Sequence, residues 1–307
     1  MKETLQAFVS SSLRLATPLL LAATGEMVSE QAGVLNLSLE GMMLSAAFAG
    51  ALGAKITGHP MAGLMFGLGA ALVLAVVQAV LSVRVRTNQL VVGIGFNIFA
   101  LGATTFLYRQ IFGGLSREQI PSFGPVSIPL LSRVPFLGPA LFQQTGLVYC
   151  GFLLVVLTWW LVTKTPFGLA VRAVGENPRA ADQAGLNVER IRFLAVLYAG
   201  ACAGLAGVFI SVASISTFTE GMTNGAGYLA VTAVILGGWR SGGVLGACLL
   251  FGAATSLQFV LPAIGVPIPT AGLVMLPYVL ALVAVSGVIR RSRPPAALTL
   301  PFRRGGH

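Results

Sequence analysis

Residues 165–192, TPFGLAVRAVGENPRAADQAGLNVERIR, decide how this chain is read. They form a polar, basic island between two apolar runs, 146–163 and 193–213, and each run is close to the roughly 20 residues that a membrane-spanning helix needs. The island carries Arg172, Arg179, Arg190 and Arg192 with Glu176, Asp182 and Glu189. Its punctuation is helical: Asn177 is placed to cap a helix whose first residue is Pro178, and Gly185 to end it. Asn187 offers a second cap, with Glu189 in the first turn that follows. A short capped helix held on the face of a membrane protein is a surface for docking.

Outward from the island the same pattern repeats. With 56% apolar and 9% charged residues over 307 positions, the chain cannot be an ordinary soluble domain, for which roughly 25% charged is usual. Apolar runs fall at 7–24, 36–54, 61–82, 90–108, 146–163, 193–213, 226–238, 244–261 and 270–289. They predict an all-α polytopic membrane protein with about nine transmembrane helices, within a range of eight to ten. The run at 226–238 is short and is expected to cross as a broken or tilted segment helped by Gly237 and Gly238. No long hydrophilic break divides the chain, so residues 1–307 are read as one membrane domain with an external loop at about 108–145 and a coupling segment at about 164–192. Five prolines, Pro121, Pro125, Pro129, Pro135 and Pro139, predict irregular backbone in that loop, either a cap over the external mouth or a plain connector. The N-terminal MKETLQAFVSSSLRLATPLL lacks a basic region followed by a small-residue cleavage site and is read as part of the membrane domain.

The formal charge of +10 is a topology signal. Thirteen of the 19 basic residues, Arg84, Arg86, Lys164, Arg172, Arg179, Arg190, Arg192, Arg240, Arg290, Arg291, Arg293, Arg303 and Arg304, fall in segments that can share one side of the membrane. By the positive-inside rule that side is the cytoplasm, which puts the C-terminus inside and the N-terminus outside. No long basic soluble face is present to meet nucleic acid.

Several chemistries are missing. No G-x4-G-K-[ST] phosphate loop exists, so a pump built on this chain draws its nucleotide chemistry from another chain. Arg240-Ser241-Gly242-Gly243 reads as a tight turn. No nucleophile triad, H-E-x-x-H motif or intramembrane aspartate pair is present, so no catalytic residue is assigned. Cys150, Cys202 and Cys248 are scattered singly, and His59 and His307 stand alone, so no metal site is expected. Gly63, Gly67, Gly200, Gly204 and Gly207 lie at small-residue spacing and predict close helix approach, within one subunit or between two.

A second polar site interrupts the first apolar stretch. Glu26, Glu30, Asn36, Ser38 and Glu40 follow one another, with Gly25, Gly33 and Gly41 allowing breaks. Polar groups at membrane depth persist only where they face protein or a watery cavity. They therefore either line a pathway or fix a bent helix by hydrogen bonds. Asn97, Gln78, Thr104, Gln258 and Glu220 are further candidates for the pathway. Asn36, Ser38, Glu40, Asn97 and Gln258 make up the set assigned to it.

These two sites resemble hallmarks of one family. Thr165–Pro178, continuing through Ala180 and Ala181 to Gly185, resembles the cytoplasmic coupling segment of permeases from bacterial ABC importers of the branched-chain amino acid, monosaccharide and nucleoside class. Gly33–Gly41, GVLNLSLEG, looks like the second hallmark, in the form of the nucleoside and simple-sugar branch. The resemblance covers nearly the whole chain, including Leu236-Gly237-Gly238. One departure is that the chain lacks an additional N-terminal span found in many sugar permeases.

The resemblance implies a permease similar to the type II ABC importers, in the bacterial cytoplasmic membrane. Its partners would be a cytoplasmic ATP-binding subunit, a second permease subunit identical or sister to this one, and an extracytoplasmic substrate-binding protein. ATP and magnesium would be bound by the ATPase, leaving this chain without a cofactor. Gly168, Arg172, Gly175, Glu176, Asn177, Pro178, Ala181 and Gly185 would form the coupling site. The cargo expected is a nucleoside, then a monosaccharide, then a branched-chain amino acid. From a different class, a secondary carrier or channel working alone could use Glu40 to couple to protons.

Overall fold

Twelve α-helices and one two-stranded ribbon are present in the computed structural model, which describes residues 2–113, 119–127, 137–265, 269–286 and 293–303. The first helix, α1 (Lys2–Gln31), is the post around which the others stand. Its second half is buried, from Ala16 through Glu30. It packs against α6 (Gly146–Lys164), α9 (Val188–Val208), α10 (Ala226–Gly237) and α11 (Ser241–Ala263). Around this post stand α2 (Leu39–Thr57), α3 (Pro60–Ala79), α4 (Gln89–Phe112) and α12 (Thr270–Val285). The third and ninth helices are prolonged by π-helical stretches, Val80–Arg84 and Phe209–Ile215.

Seven segments are long and apolar enough to cross a membrane: Thr4–Gln31, Leu39–Thr57, Pro60–Arg84, Gln89–Phe112, Gly146–Lys164, Val188–Ile215 and Ser241–Ala263. They match seven of the nine apolar runs. The other two runs form shorter apolar helices, α10 and α12, so nine crossings by helix length alone are not observed among the described residues. The chain nevertheless travels from one end of the bundle to the other between Ser216 and Trp239. Ser216 accepts a backbone hydrogen bond from Ile120 (3.0 Å) at one end, and the carbonyl of Trp239 accepts from the Gln31 side-chain amide (2.7 Å) at the opposite end. Irregular backbone over 216–225 covers the first part of that distance and α10 the rest. Such backbone survives at membrane depth where protein buries it or it lines a cavity, and Thr223 and Asn224 of this stretch line one.

The small-residue stripes are spent inside the chain. A Cβ at Gly207 would overlap the carbonyl oxygen of Met43, and one at Gly200 would overlap the Ala75 methyl. Thus α9 lies directly on α2 and α3, the arrangement small residues permit in lipid. Large apolar side chains of α4, such as Ile98 and Phe99, face outward with 69% and 64% of their surface exposed. That outward apolar surface suits a lipid environment.

The loop expected at 108–145 differs from irregular chain. Helix α4 continues through Phe112, one turn beyond the expected boundary, because Tyr108 and Phe112 stack (5.4 Å) beside Phe218 and Phe48. Beyond it, β1 (Pro125–Ser127) pairs antiparallel with β2 (Gln143–Thr145), and α5 (Leu137–Phe142) precedes β2. Pro125 begins the edge of a two-stranded ribbon, where a missing N–H is tolerated. Pro129 and Pro135 lie outside the described residues. Phe123 donates its N–H to Val212 (3.2 Å), so the returning limb rests on the end of the α9 π-helix.

Candidate functional site

The 165–192 island folds as two short helices, α7 (Pro166–Glu176) and α8 (Pro178–Gln183). Thr165 caps the first, accepting from the Gly168 N–H (3.2 Å). Asn177 both ends α7 and caps α8, accepting from the Ala180 N–H (3.0 Å). Pro178 occupies the first position of α8, and Gly185 terminates it at φ +87°, a left-handed conformation that favours glycine. Asn187 then caps α9 through the Arg190 N–H (2.9 Å).

The eight residues expected to form the coupling site divide by orientation. Arg172, Glu176, Asn177 and Gly185 are exposed and Pro178 is half-buried. Gly168, Gly175 and Ala181 are buried. A Cβ at Gly168 would run into the carbonyls of Leu161 and Val162, and one at Gly175 into the carbonyl of Gln31. These two glycines let α7 fold back under α6 and press against the end of α1, and the exposed polar residues form the outer face.

A tail from Arg293 to Arg303 straps this platform. Ala297 donates its N–H to the Gly175 carbonyl (2.8 Å) and Thr299 to the Gly33 carbonyl (3.2 Å). Phe302 is buried with Val174, Ala181 and Val188. Arg192, 3% exposed, donates from Nε to the Ala32 carbonyl (3.1 Å) and from Nη1 to the Leu300 carbonyl (2.8 Å). Arg84, Arg86, Lys164, Arg172, Arg179, Arg190, Arg240 and Arg303 lie at the same end of the bundle. Arg290, Arg291 and Arg304 lie outside the described residues.

The second polar site is a hydrogen-bonded knot between α1, α2, α4 and α10. Glu40 Oε1 accepts from the Thr223 hydroxyl (2.6 Å) and the Gly225 N–H (2.9 Å), and Oε2 accepts from the Gly227 N–H (2.6 Å). A carboxylate is thereby set on the N-terminus of α10, where free N–H groups and the helix dipole favour negative charge. A Cβ at Gly227 would lie 2.5 Å from the Glu40 backbone nitrogen, so only glycine permits this approach. Asn97 locks the other flank: its Oδ1 accepts from the Gly41 N–H (2.8 Å), and its Nδ2 donates to the Leu37 carbonyl (2.9 Å) and the Tyr228 hydroxyl (2.7 Å). Asn36 and Ser38 are fully buried; the Ser38 hydroxyl donates to Asn36 Oδ1, and the Asn36 N–H to Glu26 Oε1 (2.8 Å). The Trp239 indole N–H donates to Glu30 Oε2. The structure thus brings Asn36, Ser38, Glu40 and Asn97 together around the break between α1 and α2.

Gln258 stands apart from that knot. It lines a cavity of about 240 Å³ bounded by α1, the α9 π-helix, the start of α10, α11 and α12. Thr255, Ser214, Thr223, Asn224 and Tyr278 supply further polar groups, and Phe209, Leu19 and Val274 supply apolar walls. Arg14 reaches the same space. Arg14 is not among the pathway residues that the sequence predicts, although it stands inside the apolar run 7–24. Gln78 donates to the Ser82 hydroxyl (3.1 Å) and leaves its buried Oε1 without a partner among the described residues, while Thr104 donates to the Ala100 carbonyl (2.7 Å). Glu220 pairs with Arg109 at the ribbon end of the bundle (2.8 Å), and that hydrogen bond holds its carboxyl below the usual carboxylate range.

Comparison with known proteins agrees with the family resemblance. Residues 8–285 match the family described as branched-chain amino acid transport system / permease component. The chain belongs to that permease family. It is 35% identical to the guanosine ABC transporter permease protein NupQ of Bacillus subtilis, covering 98% of each chain. It is 34% identical to the nucleoside ABC transporter permease protein NupC of Lactococcus lactis subsp. cremoris, covering 96% of each. It is 37% identical to the putative glucose ABC transporter permease protein TsgC13 of Haloferax volcanii, over 81% of this chain and 76% of that one. No solved structure matches the chain. As a family member the chain is a multi-pass membrane permease, a transport component of an ABC system.

Proposed function

We propose that this permease moves a nucleoside across the bacterial cytoplasmic membrane, by alternating access driven by ATP hydrolysis in a separate subunit. The near full-length similarity to permeases named for guanosine and for nucleosides carries this reading. ATP and magnesium are bound by the ATPase partner. The platform of α7 and α8, with Arg172, Glu176, Asn177 and Arg179 outward, meets a groove of that partner in the cytosol. Its fixed attachment to α1 through Gly175 and to the tail through Ala297 supports the transmission of ATPase closure to the central post. In this orientation the C-terminus is cytoplasmic and the N-terminus external, as the clustering of arginine at the platform end supports. A second permease, identical or sister, completes the pathway, and an extracytoplasmic binding protein delivers the cargo.

Similarity to a putative glucose permease over 81% of the chain supports a monosaccharide as the second reading. One experiment separates the two. Purified complex, reconstituted with its binding protein and ATP, is given labelled nucleosides and labelled monosaccharides. ATP-dependent accumulation of a nucleoside supports the proposal. Accumulation of a sugar alone, or uptake that follows a proton gradient without ATP, refutes it.

A further inference from the structure

A cation at membrane depth is expensive and persists where it faces a water-filled space or a partner. Arg14, an exposed cation within the α1 span, lines such a space. It is 17 residues from the end of α1 at Gln31, roughly 25 Å at 1.5 Å per residue. It makes no ion pair or hydrogen bond to another described residue and lines the cavity that holds Gln258. Gln258 also makes no hydrogen bond to a described residue, so its amide is available on the facing wall. Asn224, in the left-handed region at φ 43°, is exposed on the same cavity, and its carbonyl is occupied by the Tyr278 hydroxyl (2.7 Å).

The charge of this cavity is one-sided. Among the described residues no carboxylate lines it. Glu40 is not among the lining residues, and its oxygens accept from Thr223, Gly225 and Gly227. The free polar capacity is therefore a guanidinium with five donors, two side-chain amides and the Ser214 hydroxyl, set among apolar walls that include the Phe209 ring. Such a lining disfavours amines, for which it offers no counter-charge. It favours a flat, neutral solute whose edge carries adjacent acceptors. A guanidinium forks onto a carbonyl oxygen and a neighbouring ring nitrogen together, as arginine does on the O6 and N7 edge of guanine.

We propose that this cavity is a transit site for the base of a 6-oxopurine nucleoside, with Arg14 bridging the carbonyl and ring nitrogen and Gln258 contacting another edge of the base. The inference rests on the nucleoside reading above and goes beyond it by naming the base and the residues that select it. Adenosine carries an amino group where the 6-oxopurines carry the carbonyl, so it meets Arg14 with one acceptor instead of two. Arginine's fork is what discriminates; lysine keeps the charge and loses the fork.

The test uses the whole complex in proteoliposomes, with binding protein saturated by each cargo so that capture is equal. Uptake of inosine and of adenosine is compared in the parent and in Arg14→Gln, Arg14→Lys and Gln258→Leu. Loss of one bidentate contact predicts a fall of about tenfold or more in the inosine-to-adenosine uptake ratio for Arg14→Gln. A similar direction is expected for Arg14→Lys, and a smaller fall for Gln258→Leu. If Arg14→Gln does not reach the membrane, the other two variants decide. An unchanged ratio in variants that assemble overturns the inference while leaving the nucleoside reading intact. Loss of the second permease from complexes of every Arg14 variant also overturns it, since Arg14 would then serve assembly. A parent complex that moves no nucleoside sinks both.

Discussion

Glu40 offers the sharpest test of how this fold is held, because one carboxylate serves three donors. Removing it by Glu40→Ala strips the acceptor from the Gly225 and Gly227 N–H groups and from the Thr223 hydroxyl. The hydroxyl can rotate to another acceptor, but the two backbone donors are fixed. Hydrogen bonds to a charged group contribute about 1.5–3 kcal/mol each, so the two N–H groups alone give a loss of about 3–6 kcal/mol. Part of that is recovered by water reaching the half-buried site, which puts the expected loss near the lower end, about 3 kcal/mol. Glu40→Gln keeps one oxygen for Gly225 and turns an NH₂ group toward the Gly227 N–H, so its loss is intermediate. The assay is reversible unfolding of the purified permease in mixed micelles, followed by tryptophan fluorescence. The expected order of stability is parent, then Gln, then Ala. If both variants lie within about 0.5 kcal/mol of the parent, the usual range for surface changes, then Glu40 does not anchor α10. A Glu40→Gln variant with intact stability but without proton-driven uptake would instead favour the carrier alternative.

Four further outcomes are expected. Gly175→Ala drives a methyl into the Gln31 carbonyl, which destabilises by about 1–3 kcal/mol and displaces α7, read as uncoupled ATP hydrolysis. Glu176→Ala, on the exposed face, leaves the unfolding midpoint unchanged while weakening retention of the ATPase in pull-downs; equal retention would count against the platform as the contact surface. Phe302→Ala empties the pocket shared with Val174, Ala181 and Val188 at a loss of about 3–5 kcal/mol, seen as faster amide exchange across α7 and α8. The exposed Arg109–Glu220 pair holds the carboxyl charged below its ordinary range, so any stability it lends is present above the ordinary carboxylate pKa and fades as pH falls through the lowered value; Arg109→Met should therefore alter stability at neutral pH more than in strong acid.

Much of this molecule could be read from residue pattern, and the gaps have physical causes. Caps and stops are local, so Asn177, Pro178, Gly185 and Asn187 stand where short-range rules place them. Seven long apolar runs became helices for the same reason, since length and composition suffice. The short run at 226–238 could not be resolved that way. Its start is fixed by Glu40, 187 residues earlier than Gly227, and only the fold joins them. Periodicity also concealed the inward-facing role of Gly168 and Gly175, because their neighbours Leu161, Val162 and Gln31 come from other elements. Arg14 gives no such signal, since only the enclosing helices make it part of a cavity.

The central position of α1 has a consequence for biogenesis. This helix leaves the ribosome before the helices it packs against, yet the indole that donates to Glu30 is 209 residues further along the chain. At roughly 5–20 residues per second, synthesis leaves about 10–40 s before that indole is made. Throughout that interval a segment bearing Arg14, Glu26 and Glu30 has no finished bundle to enter. The insertion machinery or a neighbouring early helix must shelter it from lipid, so a segment made early settles late.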